Sequence, residues 1–143
     1  LHRSAPQNLI MLDKFGDAVD LEITATQVAS IEPKDGMIAH TNHFIAEALL
    51  HEERSTGYKL ENSQTRLKTM KALLEASHGQ LTVEKLKDII YRKPGDQDEE
   101  VKDPASEIVT VVSAIAKPSE GKLWIAMGPP HPYEYTCYTL DVK

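Results

Sequence analysis

Hydrophobic and polar positions alternate with a period of two near both ends of the chain and follow a helical period in the middle. Residues 8–13 form a short apolar run that ends at the turn residues 14–17, which include Gly16. Residues 19–24 then alternate strictly, with Val, Leu and Ile on one side and Asp, Glu and Thr on the other. Glycine tolerates the positive φ of a tight turn, and strict alternation is typical of a strand with one buried face. The two segments therefore predict a β-hairpin.

Runs of apolar and β-branched residues, bounded by proline or glycine turns, predict further strands along the chain. They are residues 28–31, 37–41, 108–116, 122–127 and 133–142. A polar stretch at residues 96–104 indicates an exposed loop. The three prolines within residues 128–132 indicate a rigid irregular loop, because each proline removes a ladder donor.

The middle of the chain predicts two helices. Ser63 can cap a helix that runs to about His78, where Gly79 follows as a stop. Thr82 can cap a second helix, which ends before the Pro-Gly pair at residues 94–95. The apolar residues of both segments recur at helical spacing.

The order of these elements defines the expected fold class. Strands come first, two central helices follow, and strands return, with hairpin-like links outside the helical segment. This pattern predicts a single α+β domain over residues 1–143, with mainly antiparallel sheets. Residues 108–115 are apolar on both faces, so we expect a second layer to cover the side that the helices leave open.

Composition and charge narrow the functional classes. Of the 143 residues 41% are hydrophobic and 27% are charged, as in a globular domain, and the net charge of -6 excludes a basic nucleic-acid footprint. No apolar stretch is long enough for a membrane span, and the N-terminus does not resemble a signal peptide. Cys137 is the only cysteine, which favours a reducing, cytoplasmic location. The missing initial Met suggests a piece of a longer polypeptide or a processed chain.

The polar cluster at residues 40–44, His-Thr-Asn-His-Phe, is the main candidate for chemistry, and three interpretations compete. A metal could bind His40 and His43, with His51 added by a fold-back, although two histidines at this spacing on a strand point to opposite faces. The cluster could instead fasten a strand end through hydrogen bonds to the backbone. In the third interpretation Asn42 is an oxyanion donor, because its neutral amide carries two N–H groups.

The segment at residues 36–44, Gly-Met-Ile-Ala-His-Thr-Asn-His-Phe, resembles the signature of the isopenicillin N acyltransferase family of N-terminal-nucleophile hydrolases. Weaker similarities occur in the same order along nearly the whole chain. They are residues 9–13, Gly16, residues 18–19, Glu22, the pair Ser63 and Arg66, Thr110, and the loop Gly128-x-Pro130.

The resemblance implies a four-layer αββα sandwich of which this chain is the C-terminal portion. It implies that Asn42 supplies the side-chain oxyanion donor. The family's nucleophile is an N-terminal cysteine freed by self-cleavage, whose own α-amine is the base. We therefore expect a partner, the upstream half of the same polypeptide, and a small-molecule acyl substrate that reacts through an acyl-enzyme. No cofactor is implied, hydrolysis and transfer share these steps, and a homo-oligomer is compatible with the sequence.

The chain departs from the family pattern in two places. Leu1 is no nucleophile, and Cys137 in a strand is expected to be a small buried hydrophobe, so we expect the chain to be inactive alone. Where the penicillin enzyme has Ser-Arg, this chain has Ser106 and Glu107, which weakens an assignment to penicillins. The alternative to an enzyme is a non-catalytic binding or assembly domain that kept the fold.

Three further residues complete the expected site. We assign His43, Phe44 and Arg66 to substrate binding. Packing in the core is the alternative role for Phe44. Arg66 could bind a substrate carboxylate through its planar fork or could pair structurally with a nearby acid.

Overall fold

The computed structural model of the chain describes residues 5–91, 112–127 and 134–141, which form two three-stranded antiparallel sheets and two α-helices. The elements are β1 (Gln7–Leu12), β2 (Ala18–Ile23), β3 (Val28–Ile31), α1 (Gly57–Ala76), α2 (Val83–Tyr91), β4 (Val112–Lys117), β5 (Lys122–Met127) and β6 (Thr136–Thr139). This mixture confirms the α+β class. The αββα sandwich remains a prediction.

The first sheet has the strand order β1-β2-β3 and contains the predicted hairpin. Leu9 pairs with Leu21 across β1 and β2. One carboxylate oxygen of Asp13 accepts the backbone N–H groups of the three turn residues 15–17, and Gly16 has φ +99°. The side chain of Asp13 and the glycine thus fix the turn, as the sequence predicted for this position.

The alternation in β2 is present, but the polar side of the strand is the more deeply buried one. Asp20 and Glu22 are 0% exposed and Thr24 is buried, whereas the apolar side, from Val19 to Ile23, is only partly covered. The reason is that the segment after Ala39 covers the polar side and supplies hydrogen-bond donors to Glu22.

The strand predicted at residues 37–41 is wrong. Lys34 and Met37 exchange two backbone hydrogen bonds of 2.9 Å around a tight turn, in which Asp35 and Gly36 have φ values of +52° and +72°. Beyond this bridge the chain lacks ladder partners among the described residues and enters a 3-10 helix, Glu47–Glu52, that the sequence did not predict. Leu49 of that helix is buried at 1% exposure.

Helix α1 begins seven residues earlier than predicted, because Ser63 lies inside it instead of capping it. The residue before the helix is Thr56, whose side chain makes no capping hydrogen bond. Ser63 directs its hydroxyl to a neighbouring loop, so it does not compete with the helical backbone of α1. The predicted end is confirmed to within two residues, and Gly79 has φ +69°.

Helix α2 begins as predicted. The hydroxyl of Thr82 accepts the backbone N–H of Lys85 at 3.1 Å, which is the expected N-terminal cap. Ile89 is buried, and the helix packs against β4.

The second sheet has the order β4-β5-β6, with Val112 opposite Met127 in the predicted hairpin. Residues 108–111 of the predicted strand lie outside the described residues. Within β4 only one face, Ser113 and Ile115, is buried, so the expected cover on both faces is not supplied by the described part of the chain. Strand β6 is shorter than the predicted residues 133–142.

Candidate active site

A loop at residues 42–46 carries the candidate oxyanion donor. Its backbone N–H groups are bound by side-chain oxygens and not by the carbonyl groups of a neighbouring strand. All five consecutive backbone N–H groups of this loop donate to side-chain oxygens. The acceptors are Ser63 for residues 42 and 43, Glu53 for residue 44, and Glu22 for residues 45 and 46. Because buried backbone donors need partners, these three side chains determine the path of the loop.

Ser63 connects the loop to α1 and is 1% exposed. Its Oγ accepts the N–H groups of Asn42 at 2.9 Å and His43 at 3.1 Å, and it donates to Thr41 Oγ1 at 3.0 Å. Thr41 Oγ1 in turn donates to the carbonyl oxygen of Ser63 at 2.9 Å. The start of the loop is thus fastened to the second turn of the helix.

Glu22 connects the other end of the loop to β2. Its Oε1 accepts the N–H of Ile45 at 2.5 Å, and its Oε2 accepts the N–H of Ala46 at 3.1 Å. The same carboxylate lies 2.6 Å from His40 Nε2. Asn8 on β1 donates to the carbonyl oxygen of Thr41 at 2.8 Å and also contacts the His40 ring. The residues on both sides of Asn42 are therefore tied to the first sheet.

Asp20 lies beside this network without a hydrogen bond of its own. Both carboxylate oxygens are buried and unpaired among the described residues, and Oδ2 is 3.8 Å from His40 Nε2. Burial raises the pKa of Asp20 above its ordinary value, while the charge of His40 opposes this rise and the charge of Glu22 adds to it.

Glu53 fixes the centre of the loop. Its Oε2 accepts the N–H of Phe44 at 2.7 Å, and its Oε1 accepts the N–H of Ser55 at 2.6 Å. Burial raises the pKa of Glu53, but hydrogen bonds from Ser55, Phe44 and Arg54 outweigh it, so the pKa lies below its ordinary value. The carboxylate is therefore ionised at neutral pH and is a strong acceptor.

The side chain of Asn42 is exposed at the top of this braced loop, in contact with Arg66 of α1. Arg66 Nη2 donates to Asn42 Oδ1 at 2.6 Å, and Arg66 Nε donates to Asn62 Oδ1 at 2.8 Å. Burial lowers the pKa of Arg66 from its ordinary value, while the charge of Tyr58 opposes this fall. No acceptor among the described residues takes up the side-chain N–H groups of Asn42, so these are available to a ligand.

His43 is buried next to Asn42 and lines an open groove of about 420 Å³ along α1. Its Nδ1 lies 2.8 Å from Ser63 Oγ. Burial lowers the pKa of His43, and the charges of His40 and Lys71 lower it further, against the opposing effect of Glu53 and Glu22. The imidazole is therefore neutral at pH 7. Leu67, Lys68, Lys71 and Glu75 also line the groove.

The structure separates the residues of the metal interpretation. His40 faces Glu22, His43 faces Ser63, and His51 lies on the surface 3.6 Å from Glu52. In the part of the chain that the structure describes, no group of three or more His, Cys, Asp or Glu side chains could hold a metal ion.

Of the other candidate residues, Phe44 and Cys137 lie among the described residues. Phe44 is partly buried and is not among the residues that line the groove. Cys137 is exposed on β6 of the second sheet, so the expectation of a buried cysteine is wrong. Ser106, Glu107, Thr110, Gly128 and Pro130 lie outside the described residues.

Sequence reasoning missed the acceptors that brace the loop. Glu22 entered only as part of a family resemblance, Ser63 as a helix cap, and Glu53 not at all. One signal was available in the sequence. Asp20 and Glu22 occupy alternate positions of β2, and a later segment, residues 40–43, contains two histidines and an asparagine that could face them. The contacts of Ser63 and Glu53 are tertiary, and no local pattern indicates them.

These features are compatible with an acyl-transferring enzyme: an α+β fold presents an exposed side-chain amide on a loop whose backbone is braced, and the next residue, His43, lines an open groove. A family model described as acyl-coenzyme A:6-aminopenicillanic acid acyl-transferase matches residues 1–132, and the chain belongs to this family. No individual curated protein matches the chain. None of the helices among the described residues is long and apolar enough to cross a bilayer.

Proposed function

We propose that this chain supplies the oxyanion donor, Asn42, of a cysteine N-terminal-nucleophile enzyme that transfers or hydrolyses acyl groups. The proposal rests on the hydrogen bonding and the exposure of the Asn42 side-chain amide. Its oxygen accepts a hydrogen bond from Arg66, its side chain is exposed, and its N–H groups have no acceptor among the described residues. A neutral donor held in this way suits an oxygen that becomes negative during the reaction.

The proposed chemistry starts with the addition of a cysteine thiol to the carbonyl carbon of an amide or thioester. The thiol proton passes to the cysteine's own α-amine, whose pKa is about 8 in an unperturbed N-terminus. A C–S bond forms, and the carbonyl oxygen takes up negative charge next to the Asn42 N–H groups. The tetrahedral intermediate then expels an amine or a thiolate, which recovers the proton. Water or an amine next attacks the acyl-enzyme and releases the acyl group.

The nucleophile of this proposal comes from an upstream half of the same polypeptide. Membership of the acyltransferase family supports this assignment, and Cys137 is a poor alternative because it lies on β6 of the second sheet. The proposal therefore makes residues 1–143 inactive without the other half. A processed precursor should show two fragments, one of which begins with cysteine.

The groove lined by His43, the residue that follows Asn42, is the proposed position of the acyl group. His43 is neutral and Leu67 is apolar, so together they offer an uncharged part of the groove wall. Lys68 and Lys71 lie farther along the same groove, where they suit a negatively charged part of the substrate. Phe44 is kept as a substrate-binding residue of the proposal through the part of the residue that remains exposed.

The test uses the complete polypeptide from its full reading frame, with hexanoyl-coenzyme A as the acyl donor and water or 6-aminopenicillanic acid as the acceptor. We expect Asn42→Ala to lower kcat by about 100-fold or more, the usual loss for one oxyanion donor. Asn42→Asp keeps the shape and the contact with Arg66 but has no N–H group, so it should lose at least as much. Release of coenzyme A measures both reactions.

The matched control is Gln80→Ala, which removes an exposed amide from the connection between α1 and α2 and should keep normal turnover. Normal turnover by Asn42→Ala would contradict the oxyanion assignment. If intact-mass and N-terminal analysis of the complete polypeptide finds no new cysteine end, the binding or assembly domain becomes the better account.

A further inference from the structure

The orientation of the Asn42 carboxamide depends on the group that faces its oxygen, the guanidinium of Arg66. Arg66 Nη2 donates to Asn42 Oδ1 at 2.6 Å. The guanidinium is itself held in place, because its Nε donates to Asn62 Oδ1 one helical turn earlier at 2.8 Å. Asn62 and Arg66 are both only partly exposed on α1. The arginine therefore has a fixed position relative to the helix.

Arginine has five N–H donors and no acceptor, whereas a carboxamide has one oxygen and one NH₂ group. If the Asn42 amide turned over, its NH₂ group would face the guanidinium and neither side could accept. Only one of the two amide orientations is therefore compatible with Arg66. In that orientation the oxygen is bound to Arg66 on α1, and the NH₂ group is left on the other side of the amide to donate elsewhere.

We propose that Arg66 is a positioning residue, which holds the Asn42 carboxamide with its N–H groups toward the reacting carbonyl. This inference rests on the proposed function of Asn42. A donor that is already oriented needs no rearrangement when negative charge develops. The positive charge also polarises the amide along the hydrogen-bonded chain from Arg66 to the substrate oxygen, which strengthens the N–H donors.

The same contacts argue against direct binding of a substrate carboxylate by Arg66. Bidentate recognition needs two parallel N–H groups on one edge of the guanidinium. The edge formed by Nε and Nη2 is already used, since these atoms donate to Asn62 and Asn42. A substrate carboxylate that bound side-on to this edge would have to displace the contact that orients the amide, so only the Nη1–Nη2 end of the guanidinium is left for such binding.

The decisive experiment separates kcat from KM in the complete polypeptide, with hydrolysis of hexanoyl-coenzyme A as the probe reaction. Arg66→Met keeps the length of the side chain and the helix propensity of the position. We expect kcat to fall between about 10-fold and about 100-fold, the range for misplacement of a catalytic group by a fraction of an ångström to one ångström. KM should stay within about twofold, because an oxyanion donor acts mainly in the transition state.

A double variant tests whether Arg66 acts through Asn42. In the Asn42→Ala background, Arg66→Met should cause no further fall in kcat, since the amide that it orients is gone. With Asn42 present, Arg66→Lys keeps a charged donor at this position and should lower kcat less than Arg66→Met does. The control is Lys59→Met, which removes an exposed positive charge from the same helix at a position that is not one of those bracing the loop.

Several outcomes would overturn the inference. A rise in KM with unchanged kcat would make Arg66 a substrate-binding residue, and a further fall in kcat in the Asn42→Ala background would show an independent role. If Arg66→Met fails to fold, Arg66→Lys is judged by the same separation of kcat from KM. Normal turnover of Asn42→Ala would refute the proposed function itself, whereas slow Asn42→Ala with normal Arg66→Met would refute only the role of Arg66.

Discussion

Individual side chains in this protein replace backbone partners. Glu22 is the strongest case, since one carboxylate with 0% exposure accepts two loop N–H groups and faces a His40 ring nitrogen. Loss of any of these hydrogen bonds would leave a donor of the loop without its acceptor, which is costly where the group is removed from water. The loop that carries Asn42 is therefore held by contacts that resist distortion, which is a requirement for a preorganised donor.

Asp20 shows the opposite situation, a buried carboxylate without hydrogen bonds among the described residues. Because its pKa is raised in the folded state, its contribution to stability is fully present below the unfolded pKa of about 4 and is lost as pH rises through the folded pKa. The contribution of Asp20 to stability therefore falls as the pH rises.

We predict that Asp20→Asn stabilises the protein at pH 7 by about 1 kcal/mol, because a neutral amide avoids the cost of ionising a buried carboxylate that receives no hydrogen bond from the described residues. The gain should shrink as the pH is lowered to about 4, where the native Asp20 is protonated as well. Thermal unfolding at several pH values measures both effects, with the exposed Asp88→Asn as the control. A loss of stability at pH 7 would show that Asp20 has a partner in the complete protein.

At the scale of elements, the most informative contact is the one between α1 and the loop at residues 42–46. Ser63 serves this loop from inside the helix, so the helix and the loop are ordered together. The role depends on a small hydroxyl at a position where Ala would otherwise be the better helix former.

We predict that Ser63→Ala destabilises the protein by roughly 1–3 kcal/mol, since it leaves the N–H groups of Asn42 and His43 without their acceptor. The gain in helix propensity is about 0.5 kcal/mol and does not compensate. Denaturant unfolding measures the change, and Ser119→Ala, at an exposed position, is the control. A stability equal to that of the native sequence would mean that water replaces the hydroxyl.

The elements that local patterns predict well are those whose hydrogen bonds are local. Strands β3 and β5 have the predicted bounds, and Thr82 caps α2 as expected. The strand expected at residues 37–41 failed because its continuation finds acceptors on distant side chains. The prediction of the site was limited for the same reason. Asn42 and Arg66 were both named as candidates, but the hydrogen bond between them joins residues 24 positions apart, and a local pattern does not predict such a contact.

At the scale of the whole molecule, the described residues leave a large apolar surface uncovered on the first sheet. Every residue of β1 is exposed, and its four consecutive apolar residues, Leu9 to Leu12, are between 45% and 52% exposed. β1 is also an edge strand, with β2 on one side only. Exposed apolar edges of this kind promote association unless another chain segment covers them.

The upstream half of the polypeptide is the proposed cover for this edge, and the proposal has a measurable consequence. Residues 1–143 expressed alone should self-associate, and Ile10→Lys should reduce this, because a lysine on an edge strand opposes pairing. Size-exclusion chromatography with light scattering measures the effect. Gln80→Lys adds the same charge at an exposed site away from β1 and should change nothing.

In the complete polypeptide Ile10→Lys should be harmful, whereas in the fragment it should reduce self-association. If β1 is covered there, the lysine at position 10 has to be buried or has to keep the two halves apart, and burial of a charge without a partner is costly. Ile10→Lys should then lower the unfolding temperature and the yield of active enzyme, while Gln80→Lys should alter neither. A monomeric fragment together with an Ile10→Lys enzyme of full stability would show that β1 faces solvent in both forms, and the upstream half would then have to dock elsewhere.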